Sequence, residues 1–187
     1  EAIHRGDVVL SSTLHAPTDR IDAILTALPS EPKPIGTWFP ARLHSHSAEV
    51  GARIVPLSDP ILPGASGPVQ IVLDRPIAAA IGDRFILRDV SASRTIGGGR
   101  FLDLRAPARK RRGPQRLALI AAADTDNPAI ALAAMTQIAP VDLAGFARDR
   151  SLSPDAIPAI IETAGTARIS DLALSHEALM GLGQQTQ

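Results

Sequence analysis

Gly82-Asp83-Arg84-Phe85-Ile86-Leu87-Arg88-Asp89-Val90-Ser91-Ala92-Ser93-Arg94-Thr95-Ile96-Gly97-Gly98-Gly99 is the stretch on which the reading of this chain turns. From Arg84 to Arg88 the side chains alternate with the period of a β-strand, so Phe85 and Leu87 face one side while Arg84, Ile86 and Arg88 face the other. Two arginines therefore share a face. Gly97-Gly98-Gly99 reads as a glycine-rich turn. Neither Lys-Ser nor Lys-Thr follows it and no helical pattern begins there, so it is not the phosphate-binding loop of a nucleotide hydrolase.

Working outward, short runs rich in β-branched residues and separated by Pro and Gly clusters fill the chain as far as Leu104. Strands are expected over residues 7–10, 20–28, 42–46, 49–57, 69–75, 84–89 and 98–104. Pro63-Gly64-Ala65-Ser66-Gly67-Pro68 and Ile81-Gly82-Asp83 supply turn chemistry between them, and the proline-rich residues 28–34 form a loop. Short strands at this spacing make a small closed barrel or a sandwich. After Arg105 the pattern changes. Ala106-Pro107-Ala108-Arg109-Lys110-Arg111-Arg112-Gly113-Pro114 is a basic linker, and Ala- and Leu-rich helical spacing follows. A helix is expected over residues 115–123, a second capped by Asn127 with Pro128 at its first position, a short amphipathic one over 141–147, and another starting at Ser153-Pro154-Asp155. With the β-like residues 167–172 this is the order of a winged helix. Its second helix carries two acids and no base, which suits a spacer or protein-contact module better than a reader of DNA or RNA.

The charge balance tells the same two-part story. The 187 residues carry 19 Lys or Arg and 19 Asp or Glu, a net of zero. Residues 1–113 hold 15 bases against 11 acids, net +4, and the remainder 4 against 8, net −4. The first part is thus the better match for a polyanion. Its preference for arginine fits phosphate recognition and also fits a GC-rich genome. Zero cysteines exclude disulfides, thiolate metal sites and cysteine nucleophiles. No apolar run reaches the roughly 18 to 20 residues of a membrane span, so no membrane partner is expected. Aromatics are 3% of residues, too few for base stacking to be the main mode of RNA binding.

Several motifs have a functional and an ordinary reading. Arg5-Gly6-Asp7 is a turn into Val8-Val9-Leu10 rather than an adhesion tripeptide. His44-Ser45-His46 puts two imidazoles on one strand face, but no third ligand group stands near, so solvent- or RNA-facing histidines are favoured over a metal site. His176-Glu177 lacks the second histidine of a zinc-hydrolase helix. The run Arg109 to Arg112 is either a solvated hinge, the favoured reading, or an RNA contact. No Gly-x-Ser-x-Gly elbow and no set of nucleophile, base and orienting acid is present, so the chain is expected to be no enzyme.

Arg84-Phe85-Ile86-Leu87-Arg88 followed by Arg94-Thr95-Ile96-Gly97-Gly98-Gly99 resembles the closing strands of the third domain of elongation factor Tu and its relatives. Arg88-Asp89-Val90-Ser91-Ala92-Ser93-Arg94-Thr95, the Arg109-Lys110-Arg111-Arg112 linker, residues 43–57 and Val141-Asp142-Leu143-Ala144-Gly145-Phe146-Ala147 are most similar to the bacterial selenocysteine-specific elongation factors. The resemblance covers nearly the whole chain. It implies a multidomain β + α chain, a Greek-key antiparallel β-barrel followed by a winged-helix domain. Residues 1–17 would end a preceding barrel, 18–105 form the third-domain barrel, 106–114 the linker and 115–187 the winged helix.

By the same resemblance, the chain is a tRNA-binding and domain-docking fragment of a cytoplasmic factor that delivers selenocysteinyl-tRNA to the ribosome. GTP and Mg would belong to an absent GTPase domain, no cofactor to this chain, and the mRNA hairpin to absent C-terminal domains. Carried over residue by residue, Arg94, Thr95, Gly97 and Gly98 match the turn near the tRNA stem, where glycines would let amides approach phosphate. His44, His46 and Arg53 are further RNA-contact candidates, and Arg84 and Ile86 lie on the strand facing the GTPase domain of the parent chain. Alternatives are another elongation-type GTPase, or a barrel with a winged helix acting as a DNA-binding regulator.

Overall fold

A computed structural model describes residues 8–184, with side chains as far as residue 181. The chain divides between Gly113 and Pro114 into two compact units. In the first, β1 (Thr18–Ala27), β2 (Phe39–Ser45), β3 (Ala48–Pro56), β4 (Ser66–Ile77), β5 (Arg84–Arg88) and β6 (Thr95–Asp103) form a closed antiparallel barrel in the order β1-β4-β3-β2-β5-β6. Strands β2, β3 and β4 follow one another as hairpins while β1 returns beside β4, which is Greek-key connectivity. Alternation fills the interior: Ile21, Ala23, Leu25 and Ala27 of β1 are all fully buried, against Val69 and Ile71 of β4 and Leu43 of β2. Phe85 and Phe101 stack in the core with centroids 5.1 Å apart. Each large side chain buried this way stabilises the barrel by about 1.5–3 kcal/mol.

Two expectations fail in this unit. Residues 8–10 are in no strand; closure has already paired every edge of the sheet, so no seventh strand can be added. Arg5-Gly6-Asp7 lies outside the described residues, and with it the first turn of the expected 1–17 segment. Second, the basic linker is not a free hinge but is strapped to the barrel. Gln70 Nε2 donates to Pro107 O at 3.1 Å, Ala106 is buried, and Arg112 donates to Pro56 O from Nη2 at 2.8 Å and from Nε at 3.1 Å. Arg109, Lys110 and Arg112 are nonetheless exposed, and Arg111 is half-buried.

The second unit contains α1 (Pro114–Ala123), α2 (Pro128–Thr136), β7 (Val141–Asp142), α3 (Leu143–Asp149), a 3-10 turn at Pro154–Ala156, α4 (Ile157–Ala164), β8 (Ala167–Ile169), β9 (Leu172–Leu174) and α5 (His176–Gln184). Asn127 caps α2 by accepting from the amides of Ala129 at 2.9 Å and Ile130 at 3.3 Å. Helix α4 ends at Gly165, whose φ of +61° is the left-handed stop that glycine tolerates best. The helix expected over 141–147 begins two residues late. Val141 and Asp142 are extended and pair with β9, and the Asp142 carboxylate then accepts from the amides of Ala144 and Gly145, both at 3.1 Å, to start α3. The sheet order is β7-β9-β8, and Leu132, Val141, Leu143, Phe146, Ile157 and Ala173 make the core. Among the described residues no helix is long and apolar enough to cross a membrane and no cluster could hold a metal ion.

Candidate nucleic-acid interface

The loop joining β5 to β6 is built around one carboxylate. Asp89 Oδ1 accepts from the amides of Ser93 at 2.7 Å and Arg94 at 3.0 Å, and Oδ2 accepts from the hydroxyls of Ser91 and Ser93, both at 2.8 Å. These bonds, the Arg94 amide first and the Ser93 hydroxyl next, hold the Asp89 carboxyl well below the usual carboxylate range. The loop therefore folds itself around a fixed charge and sets the direction of Arg94. That arginine does not point free into solvent. Its guanidinium pairs with both oxygens of Glu31, through Nη1 to Oε2 and through Nη2 to Oε1 at 3.2 Å, and the Glu31 side chain is fully buried. The hydrogen bond to Glu31 is also the main reason the Arg94 pKa is raised. Arg94 thus closes a buried acid, leaving about 43% of its side chain exposed, while Thr95 is exposed at the start of β6.

Gly97-Gly98-Gly99 lies inside a strand, as the strand expected over 98–104 has it for Gly98 and Gly99, and makes no turn. The three residues sit in β6, opposite Leu87, Ile86 and Phe85 of β5 on one side and Ala27, Thr26 and Leu25 of β1 on the other. A strand paired on both edges spends its amides in the ladder, so they are not bare donors for phosphate. Glycine is required for a different reason. A Cβ on Gly97 would meet the Thr26 carbonyl, one on Gly98 would come 2.8 Å from Phe85 O, and one on Gly99 would collide with the Ile24 carbonyl. The run lets three strands approach closely. A strand committed in this way makes no phosphate cradle, and a nucleotide such as GTP with its Mg does not fit there.

The outer face of the same strands brings other candidates together. His44 of β2 is opposite Ile86 of β5, which is opposite Gly98 of β6. Residues expected to serve RNA contact and residues expected to serve domain docking therefore form one row. Ile86 is 51% exposed, and His44 Nε2 is buried without a hydrogen-bond partner. Flanking this row, Arg42 lies opposite Arg88 and Arg84 opposite Arg100. Arg42 is partly neutralised by Glu49 at 2.8 Å and also donates to Val90 O at 3.1 Å, tying β2 to the Asp89 loop.

Two candidates stand apart. His46 does not share the strand face of His44, because it occupies the β2–β3 turn with φ +51° and its Nε2 is 3.7 Å from Asp83 Oδ1. Arg53 is exposed on β3, opposite Pro40 and Val72 and away from the His44 row. Sequence reading placed Arg88 on this face beside Arg84 but missed Arg42 and Arg100 as its neighbours, and Glu31 and Asp89 as its supports. The alternation in β5 was the available signal for Arg88; the others depend on pairing between distant strands.

The first unit is an all-antiparallel closed barrel with an arginine-bordered outer face, and comparison with known proteins shows what it resembles. Residues 19–108 match the family model "Selenocysteine-specific elongation factor, beta-barrel domain". The chain is 30% identical over 166 residues to the selenocysteine-specific elongation factor of Escherichia coli (strain K12), covering 88% of this chain and 25% of that protein. It is 31% identical over 119 residues to that of Haemophilus influenzae, covering 63% and 18%. A crystal structure of the bacterial selenocysteine-specific elongation factor EF-Sec superposes with a TM-score of 0.63 at 15% identity, over 95% of this chain and 27% of that one. The chain is thus similar to the selenocysteine-specific elongation factors, with residues 19–108 matching their β-barrel domain, and it spans about a fifth to a quarter of the length of these relatives.

Proposed function

We propose that the chain serves its parent factor as a non-catalytic contact module, with the barrel binding selenocysteinyl-tRNA and docking the GTPase domain through one composite face. The observation that carries this reading is the gathering of Arg42, Arg88, Arg84 and Arg100 at facing positions of neighbouring strands around exposed Ile86. Cations gathered on one face of the barrel match an anionic partner. Arg84 and Arg88 supply phosphate contacts, joined by His44 and the exposed Thr95, and Ile86 supplies the apolar contact with the GTPase domain. Arg94 acts chiefly as the loop's anchor, and Gly97 and Gly98 keep the strands close. His46 and Arg53 are peripheral contacts. GTP and Mg are held by the GTPase domain of the parent, the ribosome and the mRNA hairpin are engaged by the assembled factor, and the setting is the cytoplasm.

The second unit is a winged helix in this reading. Helix α3, helix α4 and the β8–β9 hairpin against β7 have the required order, and α4 with the turn before it, carrying Asp155 and Glu162 and no base, fits a spacer or protein contact. The test is a titration of labelled selenocysteine tRNA with the 187-residue chain at several salt concentrations. Binding should weaken steeply with salt, and Arg84→Glu/Arg88→Glu should flatten the slope by about 0.9 for each phosphate that is no longer neutralised. Salt-insensitive binding, or an unchanged slope in the variant, refutes the proposal.

A further inference from the structure

A shallow cavity of about 380 Å³ on the first unit is lined by Thr37, Trp38, Val55, Lys110, Arg111, Arg112 and Gly113. It shares no residue with the β2–β5–β6 face. Three of its seven lining residues are cations and none is acidic. Its aromatic wall is the only tryptophan of the chain. Trp38 is 51% exposed although it precedes a strand whose inward residues fill the core. Its backbone has φ +61°, a conformation rare for a bulky residue, and Lys110 across the cavity has φ +55°. Such strain persists only where surrounding structure enforces it, and it gathers at functional positions. Here the enforcement is visible. Arg112 is bonded to Pro56 O and at 3.3 Å to Thr37 Oγ1, and the Arg111 guanidinium stands 5.5 Å from the Trp38 ring centre. Arg111 Nη2 donates to Ala108 O at 2.9 Å, whereas its Nη1 is buried without a hydrogen-bond partner.

We infer that this cavity binds a nucleotide of single-stranded RNA, with the base stacked on Trp38 and the phosphate held by Lys110 and Arg111. The argument is one of matching chemistry. A flat apolar ring held beside cations recognises a ligand that is both planar and anionic, and guanidinium groups suit phosphate oxygens. An acidic peptide would satisfy the cations and leave the indole without use. The low aromatic content of the chain limits it to a single stacking position, so the cavity grips one unpaired nucleotide, such as a bulged or terminal base, rather than a long single strand. This inference shares with the proposed function the premise that the barrel meets RNA, but it assigns a separate site and a separate mode.

Because the chain has one Trp and no Tyr, Trp38 emission reports directly on the cavity. The 187-residue chain is titrated with a single-stranded RNA hexamer, and with a hexaglutamate peptide in parallel. Quenching of Trp38 by the RNA and not by the peptide is expected. By anisotropy of a labelled hexamer, Trp38→Ala and Lys110→Glu should each weaken binding about fivefold or more, as removal of one stacked base does. Arg168→Glu, a charge reversal of the same size as Lys110→Glu but in the second unit, should leave the hexamer's affinity within about twofold. RNA that binds without quenching Trp38, equal quenching by the peptide, no measurable hexamer binding, or indifference to both cavity variants overturns the inference. The tRNA salt titration of the Arg84/Arg88 variant is untouched by any of these results, so the two proposals fail separately.

Discussion

Gly99→Ala separates the two reasons a triple glycine can exist. If the glycines serve phosphate approach, the variant loses RNA affinity and keeps its stability; if they serve strand packing, it loses stability. The structure favours the second. A Cβ at residue 99 would overlap the Ile24 carbonyl and stand 3.0 Å from the Phe85 ring carbon Cζ. Neither obstacle is the loose end of a flexible side chain, since Ile24 is backbone and Phe85 is stacked on Phe101. Overpacking of this kind costs about 1–3 kcal/mol, and the upper part of that range applies when backbone must move. Replacing glycine also restricts the unfolded chain, which returns about 0.4–1 kcal/mol. The net expectation is a decrease of about 2 kcal/mol. With a urea m-value of about 2 kcal/mol/M, this lowers the unfolding midpoint by about 1 M. Trp38 emission follows the transition of the first unit. Gly36→Ala is the control, because its Cβ would meet nothing within 4 Å, and its midpoint should move by less than about 0.3 M. A Gly99→Ala midpoint as close to the parent's as that of the control would refute the packing argument.

Two further outcomes follow from the Asp89 loop. Since the folded Asp89 carboxyl titrates below its unfolded value, its contribution is fully present above about pH 4 and is lost progressively as pH falls below it, so the protection factors of the Ser93 and Arg94 amides, taken against the intrinsic exchange rate at each pH, should fall in acid, and Asp89→Asn should lower them already at neutral pH. Removing Arg94 alone leaves the buried Glu31 carboxylate unpaired, so Arg94→Ala should unfold at lower urea than Arg94→Ala/Glu31→Gln; the reverse order would show that Glu31 needs no partner.

Much of the fold was legible because its signals are local. The period-two alternation in residues 84–88 located β5 and its two faces, and Asn127 with Pro128 marked the start of α2 through chemistry confined to one turn. What failed depended on partners elsewhere in the chain. Glycines carry no side chain to alternate, so Gly97-Gly98-Gly99 looked like punctuation, and the carbonyls that demand them belong to Ile24, Thr26 and Phe85. The pairing of Arg94 with Glu31 spans 63 residues. Val141 looked helical because its strand partner, Ala173, lies beyond two intervening helices. His46 followed the alternation of β2 in sequence yet fell into the turn, where a left-handed backbone turned its ring toward Asp83. The candidate site was accordingly half visible: its residue types could be named, but which of them share a face is set by barrel register.

The arginine face also makes a claim about stability that runs opposite to its claim about binding. Acids are not lacking nearby, but they are committed: Asp89 to four donors in its loop, Glu31 to Arg94, and Glu49 to Arg42. Each commitment stiffens the loop or the hairpin, while Arg84 and Arg88 stand at positions facing Arg100 and the Glu49-paired Arg42. If stability alone shaped this face, replacing one member of each like-charged pair would be neutral or harmful. If a polyanion shaped it, Arg84→Gln and Arg88→Gln should each raise the stability of the free protein by about 0.2–1 kcal/mol while weakening its grip on tRNA. Unfolding in urea at low salt, where the repulsion is least screened, is the sensitive condition, and the gain should shrink as salt is added. Lower stability in both variants would mean that the arginines are held by interactions within the barrel, and the face would then have no need of a partner.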